Sequence, residues 1–324
     1  MKKTEAKYRG IRYWFIWFMG IVAPLVLLLQ AYYNMRIEFT IGFLIYAVIL
    51  FLIFLAFAQA FRGTAPTRFP VFHSNPEILG FEFEEVEFTT QDGLKLEGWF
   101  VAPPNGAMIV ITHGYGGNRL STTPIARFLV KAGFGILVYD LRAHGRNPGD
   151  LSTWGWLEIN DLLGAVNYLL TRSEVDKQRI GLLGYSLGGQ ISLRAAAQMK
   201  QIRAVAVDGP TVAALDDHKL SNRLTLRKIL FYPWVWLQYQ LRSFIIGAPV
   251  PNGICEEIGK IAPRSLMLIS SGRGVEQRII HHFYELAGEP KTLYEIPEAR
   301  HNEGVLARPD EYEKRLVEFF KQAL

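Results

Sequence analysis

The feature that most constrains the fold is a serine enclosed by glycines, Gly-Tyr-Ser-Leu-Gly at residues 184–188, with a different pattern on each side. The apolar run 179–183 precedes it and favours a buried strand, whereas the alanine-rich segment 191–197 follows it and favours a helix. Glycine has no side chain, so the chain can turn sharply and hold the serine in a strained conformation with its hydroxyl above the sheet edge. The sequence therefore predicts a strand, a tight turn that carries Ser186, and a helix.

Further apolar runs predict the rest of the sheet. Six short runs alternate with helical segments, a pattern typical of a parallel sheet covered on both faces. They are residues 108–112, 134–139, 179–183, 202–207, 265–270 and 292–296. Before them, residues 81–88 and 94–101 flank the turn dipeptide Asp92-Gly93, which predicts an antiparallel hairpin. The predicted fold class is α/β, with a mostly parallel sheet and helices on both faces.

Two uncharged apolar stretches lie near the N-terminus, at residues 14–33 and 39–61. Each is long enough to cross a bilayer as a helix, which needs about 20 residues. Only residues 34–38 separate them, so we expect a tight transmembrane hairpin. Five basic residues precede the first stretch and Arg62 and Arg68 follow the second, against Arg36 alone between them, so both ends are predicted to be cytoplasmic. A cleaved signal peptide is disfavoured because a second stretch follows the first.

These patterns divide the chain into an anchor, a linker and a globular domain. The anchor covers residues 1–63, the linker 64–76 is rich in proline, threonine and basic residues, and the domain covers 77–324. Within the domain, residues 211–262 form an insertion with clustered aromatic and basic residues. Three interpretations stay open for it: a cap that packs on itself, a lid that lines the substrate site, and a face that rests on the anionic cytoplasmic leaflet.

Charge and cysteine content argue against several classes of protein. The net charge is +5, but the basic residues do not form a long run with interleaved aromatic residues beyond the first dozen positions, so no nucleic acid partner is expected. The one cysteine, Cys255, has no partner for an internal disulfide. No Cys/His cluster has the spacing of metal ligands, so no metal is predicted.

A serine hydroxyl needs a neighbouring base to act as a nucleophile, and the base needs a third group to orient it. His301 is the best candidate base because it lies in the loop after the last predicted strand, where parallel sheets collect catalytic groups. The glycine-rich loop 113–118 follows another strand, and we expect the backbone amides of Tyr115 and Leu187 to form an oxyanion hole. His113 and His144 are predicted to stabilise loops.

The orienting acid is the least constrained member of the site. Glu276 is the only carboxylate in the loop after residues 265–270, and glutamate can serve in this role. The alternative is a carboxylate that only stabilises a helix N-terminus. Asp208, Asp216 and Asp217 are further candidates because they follow the preceding strand.

The order Ser186, Glu276, His301, together with the loops 113–118 and 140–145, resembles the α/β-hydrolase superfamily over residues 80–324. The resemblance implies an α/β-hydrolase fold, a covalent acyl-enzyme and no cofactor. Two features differ from the usual pattern: glutamate replaces the aspartate after the seventh strand, and a membrane hairpin precedes the domain. Within the superfamily the chain is similar to bacterial membrane-anchored esterases and serine-peptidase-like members.

The implied function is a membrane-anchored serine hydrolase that cleaves a carboxylic ester, with a small molecule or a lipid as the acyl substrate. Two alternatives remain. One is a peptidase or amidase that uses the same residues, and the other is a membrane-tethered binding protein without catalysis.

Overall fold

The computed structural model describes residues 22–33, 37–62, 64, 66, 68–69, 71, 79–219 and 226–324. The strands are β1 (Glu84–Thr89), β2 (Lys95–Val101), β3 (Met108–Thr112), β4 (Gly135–Tyr139), β5 (Ile180–Tyr185), β6 (Ile202–Asp208), β7 (Ser265–Ser270) and β8 (Lys291–Glu295). The helices are α1 (Ala23–Tyr33), α2 (Ile37–Arg62), α3 (Thr123–Lys131), α4 (Ile159–Thr171), α5 (Leu187–Gln198), α6 (Leu226–Ile246), α7 (Ile254–Glu257), α8 (Gly274–Leu286), α9 (Gly304–Ala307) and α10 (Pro309–Ala323).

The eight strands form one sheet in the order β1-β2-β4-β3-β5-β6-β7-β8. Strand β2 pairs antiparallel with β1 and with β4, so the predicted hairpin forms at one edge of the sheet. Strands β3 to β8 are parallel to one another. The six predicted parallel strands are therefore confirmed. Because parallel strands end at the same edge, the loops after β3, β5, β6, β7 and β8 are neighbours.

Helices cover both faces of the sheet, which explains why its central strands are apolar throughout. On one face, Val110 and Leu182 pack with residues of α4, α5 and α8. On the other face, Ile109 and Ile111 pack with residues of α3 and α10. Every residue of β3, β4 and β5 is buried. Such two-sided burial is what a continuous apolar run predicts, as opposed to an alternating one.

Helices α1, α2 and α6 form one compact unit, and the sheet with its other helices forms a second. Within the described residues, one helix is long and apolar enough to cross a membrane, over Gly42–Phe61 of α2. This window coincides with the second predicted span. Much of the first predicted span, at residues 14–21, lies outside the described residues, and its remainder forms α1. Helix α6 is the longest element of the predicted insertion and packs against α2.

Candidate active site

Ser186 lies between β5 and α5 in a backbone conformation that only glycine adopts readily. Its φ is 52° and its ψ is −112°, and its N–H donates to the carbonyl oxygen of Asp208 at 2.9 Å. The flanking glycines are needed for close approach. A Cβ on Gly184 would lie 2.3 Å from the carbonyl oxygen of Gly188, and one on Gly188 would lie 2.2 Å from that of Thr112. The sharp turn predicted around Ser186 is thus the turn that the chain makes.

The three predicted catalytic side chains lie in one hydrogen-bonded chain. His301 Nε2 lies 2.9 Å from Oγ of Ser186, and His301 Nδ1 lies 2.6 Å from Oε2 of Glu276. The second oxygen of Glu276 accepts the N–H of Ser271 at 3.0 Å. A carboxylate can only accept from Nδ1, so Nδ1 carries the proton and the lone pair of Nε2 is directed to the serine hydroxyl. This arrangement can remove a proton from Ser186.

Protonation of the pair follows from these bonds. The hydrogen bond to Glu276 raises the pKa of His301 above its ordinary value, against a smaller effect of burial. Burial alone would raise the pKa of Glu276, but the bonds from His301 and the Ser271 amide outweigh it, so this pKa is lowered. Glu276 is therefore ionised at neutral pH, and it stabilises the imidazolium that forms when His301 accepts a proton.

Asp208 ends β6 next to the site but does not contact the imidazole ring by a hydrogen bond. Its carboxylate is 2% exposed and accepts the hydroxyl of Tyr312 at 2.9 Å. Burial raises the pKa of Asp208 to about 7, although the bond from Tyr312 acts in the opposite direction. A buried carboxyl of this kind keeps its proton more easily than an exposed one.

The other two candidate acids serve local structure. Asp217 is buried and accepts the backbone N–H groups of Ala213 at 2.8 Å and of Cys255 at 2.9 Å. Asp216 forms an ion pair with Lys219. Neither is hydrogen-bonded to His301, so only Glu276 among the four candidate carboxylates contacts the histidine.

The glycine-rich loop after β3 lies against the serine. A Cβ on Gly114 would lie 3.2 Å from the Cβ of Ser186, so the loop backbone is in van der Waals range of the turn. Tyr115 is the next residue, and Leu187 is the first residue of α5, where backbone N–H groups have no partner inside the helix. Within the described part of the chain, neither amide donates a turn or loop hydrogen bond to another backbone group. Both are therefore available to a ligand beside Ser186.

Two buried histidines, His113 and His144, support this loop. His113 Nε2 accepts the N–H of Leu141 at 3.0 Å, so its Nδ1 donates to the carbonyl oxygen of Gly114 at 2.7 Å. Burial lowers the pKa of His113 to about 4, which keeps the ring neutral. His144 packs edge-on against His113 with ring centroids 5.2 Å apart. These bonds fit the structural role predicted for both histidines.

Sequence reasoning missed two residues near the site, Asn302 and Trp154. Asn302 follows His301 with a φ of 60°, and its Oδ1 is buried with no hydrogen-bond partner among the described residues. Trp154 stacks on Tyr115 with ring centroids 5.0 Å apart. An asparagine directly after the base was a usable signal, since asparagine tolerates the left-handed conformation. The tryptophan lies in the long loop between β4 and α4, and its sequence context carried no such signal.

No cluster of three or more His, Cys, Asp or Glu side chains is arranged to hold a metal ion within the residues that the structure describes.

Known proteins resemble this chain in sequence and in overall structure. The family model for the alpha/beta hydrolase fold matches residues 107–245. The protein YfhR of Escherichia coli K12 is 28% identical over 293 residues, covering 84% of this chain and 95% of YfhR. A polyketide transferase of Stachybotrys chlorohalonatus is 34% identical over 221 residues, covering 63% of this chain and 71% of the transferase.

A crystal structure of an esterase from Pyrococcus furiosus superposes with a TM-score of 0.65 at 27% identity, covering 80% of this chain and 97% of the esterase. On its strand order, its sequence matches and its structural similarity, the chain belongs to the α/β-hydrolase superfamily.

Proposed function

We propose that the protein is a membrane-anchored serine hydrolase that cleaves a carboxylic ester through an acyl-enzyme. The observation that carries the proposal is the chain of two hydrogen bonds from Ser186 through His301 to Glu276, at 2.9 and 2.6 Å. A nucleophile, a base and an orienting acid within hydrogen-bond reach are what a serine needs to attack a carbonyl.

The reaction follows from the proton positions. Ser186 Oγ attacks the ester carbonyl carbon while its proton moves to His301 Nε2, and Glu276 stabilises the resulting imidazolium. The carbonyl oxygen becomes an oxyanion that accepts from the amides of Tyr115 and Leu187. The tetrahedral intermediate then expels the alcohol, which takes the proton from His301. Water repeats the sequence on the acyl-enzyme and releases the acid and free Ser186.

A hydrophobic acyl group is the substrate class that we favour. Helix α2 is long and apolar enough to cross a membrane, and a tethered enzyme meets lipid esters at a raised local concentration. The structurally similar protein from Pyrococcus furiosus is named an esterase. The first observation favours a substrate in or near the membrane, and the second favours an ester over a peptide.

A fluorophosphonate probe tests the reactive serine in the full-length protein. We expect the wild type to be labelled covalently and Ser186→Ala to lose labelling entirely. Ser173→Ala is the matched control, because Ser173 is an exposed serine whose hydroxyl contacts Glu174 instead of a histidine. Folded wild-type protein that resists labelling would contradict the proposal and favour a binding protein without catalysis.

A substrate panel tests the reaction class. We expect p-nitrophenyl esters of increasing acyl length to be hydrolysed with kcat/KM rising from acetyl to longer chains, because a longer chain buries more apolar area. Aminoacyl amides in the same panel should react much more slowly. Preference for the amides would identify a peptidase or amidase instead.

For the anchor we propose two spans, residues 14–33 and 39–61, with both chain ends in the cytoplasm. The support is the excess of basic residues outside the spans compared with Arg36 between them. A green fluorescent protein fused to the C-terminus should fluoresce, and alkaline phosphatase fused at the same place should be inactive. An active phosphatase fusion would reverse the orientation.

A further inference from the structure

The outer face of α6 is apolar and exposed. Pro233, Trp236, Gln240 and Phe244 are all exposed and are separated by three or four residues, so they form one stripe along the helix, named here the α6 stripe. Trp236 is 53% and Phe244 80% exposed. The opposite side of the helix contains the buried residues Val235 and Tyr239. Large exposed aromatic side chains on one face of a folded helix indicate a surface that contacts something apolar.

The contacts between α6 and α2 indicate the depth in a bilayer at which the α6 stripe would lie. Gln238 of α6 donates to the side-chain oxygen of Gln59 near the C-terminal end of α2. Two small residues at the same end, Ala56 and Ala60, are completely buried. Leu44 toward the other end of α2 and Phe51 in its middle are each about half exposed. Helix α6 is therefore attached to one end of the apolar helix and leaves the rest of it uncovered.

Helix dimensions then place α6 at the boundary of a bilayer. The apolar window Gly42–Phe61 contains 20 residues and is about 30 Å long, which equals the thickness of the hydrocarbon core. Gln59 lies at the end of this window, so when α2 spans a membrane its partner α6 lies at the level of the headgroups. Tryptophan is enriched at that level because one end of its ring system is apolar and the other polar.

The positive charge of α6 also favours contact with an anionic membrane surface. Residues 226–246 contain Arg227, Lys228 and Arg242 and no acidic residue. The cytoplasmic leaflet is negatively charged and attracts basic segments that lie near its surface. A helix that combines a basic character with an exposed aromatic stripe has the composition of one that lies in the membrane plane.

We propose that α6 is an interfacial helix, with the α6 stripe in contact with the headgroup and acyl-chain boundary of the anionic leaflet. The occupant of the stripe is the lipid bilayer itself. This inference rests on the membrane anchoring proposed above and is independent of the reactivity of Ser186. It favours the third of the three interpretations of the insertion, the one in which its face rests on the leaflet.

Fluorescence quenching in lipid nanodiscs tests the proposal on the full-length chain. Trp236→Cys and Phe244→Cys, each in a Cys255→Ser background, are labelled with bimane in nanodiscs of phosphatidylcholine and phosphatidylglycerol. Leu306→Cys is the matched control, since Leu306 is 75% exposed and lies on α9 of the sheet unit. Ile49→Cys, 49% exposed on α2, reports whether the anchor itself is in the bilayer. Thermal unfolding of each variant verifies that it is folded.

We expect brominated lipid chains to lower the emission of both stripe labels about two-fold relative to unbrominated lipid, because an interfacial helix buries its apolar face about 5 to 10 Å into the boundary. Iodide in solution should quench Leu306→Cys and leave the stripe labels bright. Stripe labels quenched by iodide would mean that the stripe faces water. Stripe labels shielded from both quenchers would mean that a second copy of this chain or another protein covers the α6 stripe. If brominated lipid quenches Ile49→Cys, α2 is in the bilayer, and either of these results overturns the proposal. If brominated lipid does not quench Ile49→Cys, the membrane anchoring itself is contradicted.

Discussion

Glu276 and Asp208 are two carboxyl groups near His301, and they differ in their hydrogen-bond partners and in the direction of their pKa shifts. Glu276 is bonded to the imidazole and has a lowered pKa, so it is ionised at neutral pH. Asp208 is buried, has a raised pKa of about 7 and is bonded to Tyr312 instead. Only an ionised carboxylate stabilises a neighbouring imidazolium strongly. The two residues should therefore respond differently to removal of their charge.

Exchange of each carboxyl for its amide measures this difference. Glu276→Gln should lower kcat by about 10²- to 10⁴-fold, because an amide neither fixes the tautomer of His301 nor stabilises its charged form. Asp208→Asn should change kcat by less than about ten-fold, since Asp208 is hydrogen-bonded to Tyr312 and not to His301. Steady-state kinetics with one activated ester compare the two variants. A large loss from Asp208→Asn with full activity in Glu276→Gln would assign the acid to Asp208.

The pH profile of the reaction reports the same bond. Because the base must be neutral, kcat/KM should fall as the pH falls through the pKa of His301, which the bond to Glu276 raises above the ordinary value of 6.5. Glu276→Gln removes the cause of this increase, so the acid limb should move to lower pH. Glu295→Gln is the matched control, because Glu295 also pairs with a histidine, His281, at 2.9 Å but is not hydrogen-bonded to His301. An unmoved limb in Glu276→Gln would show that Glu276 does not set this pKa.

At the scale of elements, the turn between β5 and α5 depends on the absence of side chains. A Cβ on Gly188 would overlap the carbonyl oxygen of Thr112 at 2.2 Å, and backbone atoms cannot move away as a flexible side chain can. Gly188→Ala should therefore separate β3 from α5 and displace Ser186. We expect a loss of about 1 to 3 kcal/mol in the free energy of unfolding and loss of probe labelling.

Gly259→Ala is the control for this substitution. Its Cβ would have one neighbour within 4 Å, the carbonyl oxygen of Leu286 at 3.6 Å, which is ordinary contact. Thermal unfolding and probe labelling of both variants are compared, and Gly259→Ala should stay within about 0.5 kcal/mol of the wild type. Equal stability of Gly188→Ala and Gly259→Ala would mean that the turn tolerates a side chain.

The sequence predicted those elements whose pattern is local. The runs 108–112 and 265–270 coincide with β3 and β7 because buried parallel strands are apolar along their whole length. Ser186 and His301 are recognisable from the sequence because each lies in a turn or loop that follows a predicted strand. The bond from Tyr312 to Asp208 was not predictable, since it joins a helix to a strand 104 residues earlier and no local pattern encodes it. The grouping of α6 with α2 also depends on contacts between distant segments.

At the scale of the whole molecule, the chain passes from the unit of α1 and α2 to the sheet unit and returns to the first unit at α6, because α6 lies between β6 and β7 in sequence. Val235, Tyr239 and Ile245 of α6 are buried. Removal of the N-terminal helices alone would take away the helix against which α6 packs and would expose apolar area to water. The N-terminal helices and α6 should therefore be removable together but not separately.

Two truncations test this dependence. A chain without residues 1–62 should aggregate or require detergent, because α6 keeps an apolar face without α2. A second chain that also replaces residues 224–247 with a short glycine-serine linker should be soluble and monomeric and should retain fluorophosphonate labelling at Ser186, since every residue of the proposed site belongs to the sheet unit. Size-exclusion chromatography without detergent and probe labelling compare the two chains. A soluble, monomeric first truncation would contradict the structural dependence of α6 on the anchor, and an unfolded second truncation would show that the sheet unit needs α6.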